Sequence, residues 1–198
     1  MFVTALRLAP NIERPLMELQ DRLFRSCGLL STRLFPPLIP LACFELRTAA
    51  DESGHRRRLV TLLDGVRRSL PLELQGYADA PVRKDAPTTH DVSLQVRIRN
   101  YHAFLELLLR EMGEFVCIAD QRDAPRIVLA RENPSSFSND RTAELQYCLD
   151  GTSLPALPVT AAFWLWAAEV IPGPDVTDWW ISAQWQELFS RRVTIVNA

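Results

Sequence analysis

Three histidines, His55, His90 and His102, are the side chains whose ordinary pKa suits proton transfer near neutral pH. His90 opens the run His90-Asp91-Val92-Ser93-Leu94, which sets a histidine near a hydroxyl. On a strand, however, residues three apart point to opposite faces, so His90 and Ser93 do not form a same-face pair. His90 is therefore read as a residue at a loop-to-strand boundary. His55 precedes Arg56, Arg57 and Arg58 at the start of one helical pattern, and His102 stands near the start of another. Both are expected to face solvent, and neither has a visible catalytic partner.

Anion binding has more raw material. Arg56 to Arg58 and, about three turns later, Arg67 and Arg68 fall on one predicted helix. They can form a phosphate-binding stripe, although a solvated charged face is the simpler expectation. Arg126, in Ala124-Pro125-Arg126-Ile127-Val128-Leu129-Ala130-Arg131, offers a planar guanidinium that can grip a phosphate or carboxylate without exchanging a proton. Strand alternation turns Arg131 to the other face from Arg126, so the two need not hold one ligand. A packed or ion-paired structural arginine is the alternative for Arg126.

Cys27, Cys43, Cys117 and Cys148 form no CxxC pair and lie in apolar or helical settings. Buried, reduced thiols are expected, with no metal site, no disulfide framework and no cofactor. All five tryptophans (Trp164, Trp166, Trp179, Trp180 and Trp185) fall in one C-terminal stretch, where they can pack a core or offer a stacking face.

With 198 residues, 47% of them apolar, the chain can bury a full core, and it is read as one domain over 1–198. A formal net charge of −2 provides no global field to attract nucleic acid or an anionic membrane. No apolar run reaches the length of a membrane span, and the first residues lack a signal-peptide pattern. A cytoplasmic location and no membrane association are expected.

The elements that must position these residues follow from periodicity. Met1 to Leu8 reads as a buried strand, followed by a helix to about Cys27 with Asn11 as its cap and Ile12, Leu16, Leu19, Leu23 and Phe24 on one face. Leu34 to Arg47 carries a strand entered through Pro36-Pro37. A helix follows with Leu59, Leu62, Leu63 and Val66 inward, then a strand over Leu72 to Ala78 and a loop over Asp79 to Thr89. Val92, Leu94, Val96 and Ile98 alternate with polar residues, the pattern of an antiparallel strand with one wet face. Asn100 caps a third helix that uses Phe104, Leu107, Leu108 and Met112 and ends at Gly113; a polar loop then leads to the strand of Arg126. Beyond it, a helix from Ser138 or Asp140 to about Leu149 and a connector over Gly151 to Pro158 are expected. Next come a hairpin of Ala161 to Ile171 with Trp179 to Leu188 and a last strand over Val193 to Val196.

The two proline-entered strands, Pro36-Pro37-Leu38-Ile39-Pro40-Leu41-Ala42-Cys43-Phe44 and Pro125-Arg126-Ile127-Val128-Leu129-Ala130-Arg131, look like one unit used twice. With the opening Phe2-Val3-Thr4-Ala5-Leu6-Arg7-Leu8-Ala9-Pro10 and Leu16-Met17-Glu18-Leu19-Gln20, they resemble the two-histidine phosphoesterases, the group of 2′-5′ RNA ligases and RNA 2′,3′-cyclic phosphodiesterases. The second strand resembles that family's Pro-His-x-Thr-Leu-Ala-Arg signature. The resemblance spans nearly the whole chain and implies two His-x-Thr/Ser motifs facing each other across a cleft. In such motifs one histidine serves as base, the other as acid, and the hydroxyls hold phosphoryl oxygens. Here the first histidine falls on Pro40 and its hydroxyl on Ala42, the second pair on Arg126 and Val128, and none of the four can take those roles.

The resemblance implies an α+β fold of two pseudo-twofold-related lobes, each an antiparallel sheet backed by helices, with a central cleft lined by Pro40, Ala42, Arg126 and Val128. It implies a catalytically degenerate member of the group, with no catalytic residue of its own. Such a protein would bind a nucleotide, RNA end or other phosphate through Arg126, with Arg131 as a second candidate cation. The alternatives are a protein-interaction or scaffold domain whose cleft has filled in and, last, a phosphodiesterase working through displaced residues such as His90.

Overall fold

A computed structural model of the chain describes residues 1–28, 36–46, 52–77, 82–85, 90–132, 147, 163–171 and 184–194. The described elements, in chain order, are β1 (Phe2–Leu8), α1 (Pro10–Cys27), β2 (Leu38–Leu46), α2 (Glu52–Ser69), β3 (Glu73–Tyr77), β4 (Val82–Asp85) and β5 (His90–Arg99). After these come α3 (Tyr101–Glu111), β6 (Phe115–Asp120), β7 (Arg126–Glu132), β8 (Phe163–Ile171) and β9 (Gln184–Arg192). The fold is α+β. Nine antiparallel strands run in the order β3-β5-β7-β2-β1-β8-β9, with β4 added on β5 and β6 on β2.

One face of the sheet carries the main core. Leu6 and Leu8 of β1, Ile39 and Leu41 of β2, Leu94 and Val96 of β5, Ile127 and Leu129 of β7, and Phe163 and Leu165 of β8 are buried there. They pack with Leu16, Leu19 and Leu23 of α1, Leu59 and Leu63 of α2, and Phe104 and Leu108 of α3. Residues two apart on each strand share this face, while the helices supply their i, i+3, i+4 stripes. The opposite face holds a smaller cluster of Ala5, Leu38, Trp166 and Ala168, with Val3 and Trp185 packed against it.

Several expectations are corrected. The cap of α1 is Ala9, not Asn11; Pro10 takes the first helical position, where its missing N–H costs nothing. Pro15 lies inside the helix. Asn100 does occupy the cap of α3, in the left-handed region at φ 65°, but its side chain donates to the Pro71 carbonyl (3.1 Å) instead of capping. Residues 82–85 form β4 and residues 115–120 form β6, both within stretches expected to be loops. Ser93 is buried rather than wet, because a register shift beside it sets it opposite Val128.

The C-terminal hairpin exists as β8 and β9, but β9 runs from Gln184 to Arg192, and Val193 and Thr194 follow it without forming the expected further strand. Val193 donates instead to the Phe163 carbonyl. Trp179 and Trp180, and the expected elements over 138–149 (Tyr147 apart), 151–158 and 195–196, lie outside the described residues.

Candidate functional site

The site is built around an irregularity in β2. Its register against β1 pairs Ala5 with Pro40 and Thr4 with Ala42, which leaves Leu41 as an extra residue. On its other side, β2 meets β7 at Leu38 opposite Val128 and meets β6 only from Ala42 opposite Asp120. Continued by two residues, the first ladder would set Pro40 opposite Arg126, but the pairing stops at Leu38. Pro40 thus stands in a gap where β7 has left and β6 has not begun. The Pro40 carbonyl accepts from the Tyr101 hydroxyl (3.3 Å), which also approaches the Gln121 carbonyl at 3.1 Å. A strand residue's N and O point the same way, so the missing proline N–H faces this gap and leaves no ladder bond unmade.

The gap opens onto a cavity of about 440 Å³, within the range of ligand pockets. Pro40, Ala42 and Val128 line it, together with Val3, Leu38, Ile118, Trp166 and Trp185. Ala42 also belongs to the main core, and Thr4, beside it in register, donates its buried hydroxyl to the Ala42 carbonyl at 2.9 Å. Trp166 and Trp185 form one wall, with ring centroids 6.3 Å apart and planes 31° from parallel. The Trp166 indole N–H donates to Glu187 at 2.8 Å, which fixes the ring from behind. Ile118, on the far wall, keeps 47% of its surface exposed.

The polar residues of the lining do not suit a phosphate. Asp120 is its one carboxylate, and Arg122 Nε lies 3.1 Å from both Asp120 oxygens. Arg126 is half-buried, pairs in register with Gln95 and is not among the lining residues. Its charge is felt by Tyr101 nonetheless: burial pushes that phenol well above its ordinary range, Arg126 draws it partly back, and Asp120 pushes it up again. Arg131 lies on β7 with its backbone opposite Asp91, and its side chain is outside the described set.

His90 is the first residue of β5, opposite Asp85 and Glu132, and its side chain is also outside the described set. His55 is half-buried with its ring 6.5 Å from Phe115, and His102 is exposed beside Tyr101. Neither lines the cavity. No protein-family model and no curated protein matches this chain.

The thiols correct the expectation of burial: Cys117 is exposed, and Cys43, on the cavity wall, is half-buried. Both are free. Burial of the Cys117 sulfur and the nearby Asp120 raise its pKa despite the Ala119 carbonyl and Arg122, so it stays a thiol rather than a nucleophilic thiolate. Cys148 and the side chain of Cys27 are outside the described set. Among the described residues no three of His, Cys, Asp and Glu stand together as a metal site.

Of the residues singled out in the sequence, Pro40, Ala42 and Val128 line this cavity and Arg126 does not; Ile118 and Asp120, which also line it, had not been singled out.

Proposed function

We propose that this protein is a non-enzymatic binding module on a phosphoesterase-like frame, and that its cleft receives an apolar group from a protein partner. The observation that carries this reading is the cavity itself: its walls are mostly aliphatic and aromatic, its one carboxylate is already engaged by Arg122, and no arginine or lysine lines it. In this reading the sheet comprises two pseudo-twofold-related lobes, β3, β4, β5 and β7 in one and β1, β2, β6, β8 and β9 in the other. The single register pair between β2 and β7 supports that division. The free thiol of Cys117 fits a cytoplasmic setting, and among the described residues no helix is long and apolar enough to cross a membrane.

A second reading keeps the phosphate. Arg126 is a half-buried cation close enough to act on Tyr101, whose hydroxyl bonds the carbonyl of Pro40. A nucleotide or RNA-end phosphate would then sit beside the cavity rather than in it.

One set of samples separates these readings. Titration with 2′,3′-cyclic nucleotides, with tryptophan fluorescence and product formation followed together, is expected to give no turnover and no saturable response. Selection from a random-peptide display library is expected to enrich apolar sequences whose binding is lost in Ile118→Arg. Saturable nucleotide binding lost in Arg126→Ala would favour the second reading, and turnover abolished by His90→Ala would overturn both.

A further inference from the structure

A separate cluster lies where the end of α2 meets the end of β9. Asp64 accepts from Arg67 Nε at 2.6 Å, from Arg191 Nη1 at 3.0 Å and from Arg68 Nη2. Three guanidiniums on one carboxylate leave two positive charges in excess, in a chain whose formal net charge is −2. Burial alone would raise the Asp64 carboxyl, but the hydrogen bonds and charges of the surrounding arginines outweigh it and hold the group below its ordinary range.

These arginines are not explained as caps of α2. The Gly65 carbonyl already receives the Ser69 hydroxyl (2.8 Å), and the Arg67 carbonyl receives the Thr194 N–H (3.0 Å). Of the rest of the stripe expected on α2, Arg56 pairs with Glu169 at 2.7 Å and Arg58 with Glu114 at 2.5 Å, while Arg57 is exposed.

Nor are the three arginines equivalent. Arg67 is held inward, its Nη1 donating to the Arg192 carbonyl at 3.1 Å and its side chain only 13% exposed. Arg68 and Arg191 are 45% and 55% exposed. Arg191 also lies over the Phe189 ring, 5.6 Å from its centroid, which restricts its swing. Each guanidinium has five N–H donors, and Asp64 takes one from each of Arg68 and Arg191. Two partly immobilised forks thus flank one carboxylate with most of their donors turned to water.

We propose that Arg68 and Arg191, held on Asp64 at the α2–β9 junction, bind a phosphate dianion. Two excess charges match its charge, and paired guanidinium forks match its tetrahedral oxygens. The phosphate can be free or a terminal monoester on a nucleic acid strand. The site is independent of the cavity and of Arg126.

The test follows the arginine Nε–H resonances of the full chain by NMR during titration with inorganic phosphate, against sodium chloride at matched ionic strength. Saturable shifts are expected at Arg68 and Arg191 with phosphate only. They should survive Arg126→Ala, and binding followed at Arg67 should weaken about tenfold in Arg68→Gln/Arg191→Gln. A parallel titration with a 5′-phosphorylated single-stranded oligonucleotide distinguishes the sources: tighter binding that falls in the same double variant assigns a nucleic acid terminal phosphate, and binding no tighter than phosphate assigns a free one. Shifts no different from chloride, or undiminished affinity in the double variant, would overturn the proposal. The wild-type titration needs no variant to fold.

Discussion

Tyr77 and Tyr101 show how burial sets side-chain behaviour here. Tyr77 is pushed up to about 12 from an ordinary 10 by desolvation alone, and Tyr101 is raised in the same direction. Between those values the folded chain keeps a proton that the unfolded chain has lost, so stability falls as pH rises through about 10 to 12. Absorbance at 295 nm should therefore show phenolate appearing late, with the step near 12 missing in Tyr77→Phe. Asp64 has the opposite sign: its lowered pKa supports the fold above the ordinary carboxyl value of 3.8, and that support fades as pH falls through the lowered one. Asp64→Asn should accordingly be less stable than wild type near neutrality, with the difference shrinking in acid denaturation series. Of the residues singled out in the sequence, Pro40, Ala42 and Val128 line the cavity. Arg126 could not be placed outside the cavity from the sequence, because the ladder that would have set it opposite Pro40 stops at Leu38.

At the scale of elements, periodicity succeeded where the sequence alternates apolar and polar residues and failed where it does not. Strand β5 buries Val92, Leu94, Val96 and Ile98, and α1 buries Ile12, Leu16, Leu19 and Leu23, so both patterns were readable. In β6 only Phe115 is buried, and β4 is a short, mostly polar segment within a proline-containing stretch, so neither carries an alternation. Pairing with β2 and β5 makes them strands, and pairing partners cannot be read from local spacing. The same contrast gives a prediction within α1. Leu16 is fully buried while Met17 is 51% exposed, so Leu16→Ala should cost about 2–5 kcal/mol in urea unfolding. Met17→Ala should stay within about 0.5 kcal/mol of wild type.

At the scale of the whole molecule, the sheet turns one face to three helices and a continuous core, and the other to the small cluster around Trp166. The cavity lies on that second face, at the place where β2 changes neighbours from β7 to β6. The β1 ladder takes the extra residue Leu41 as a bulge, and the proline without an N–H is tolerated because on the other side of β2 the pairing with β7 ends at Leu38 and that with β6 starts at Ala42. The central claim is that this break serves binding of an apolar group rather than phosphoryl transfer. The most direct measurement is titration with the neutral apolar fluorophore N-phenyl-1-naphthylamine, read by energy transfer from the tryptophans, of which Trp166 and Trp185 line the cavity. Saturable binding at one site is expected, weakened about tenfold in Ile118→Arg, where a charge enters the apolar wall. Absence of saturable binding, or equal affinity in wild type and Ile118→Arg, would contradict the central claim.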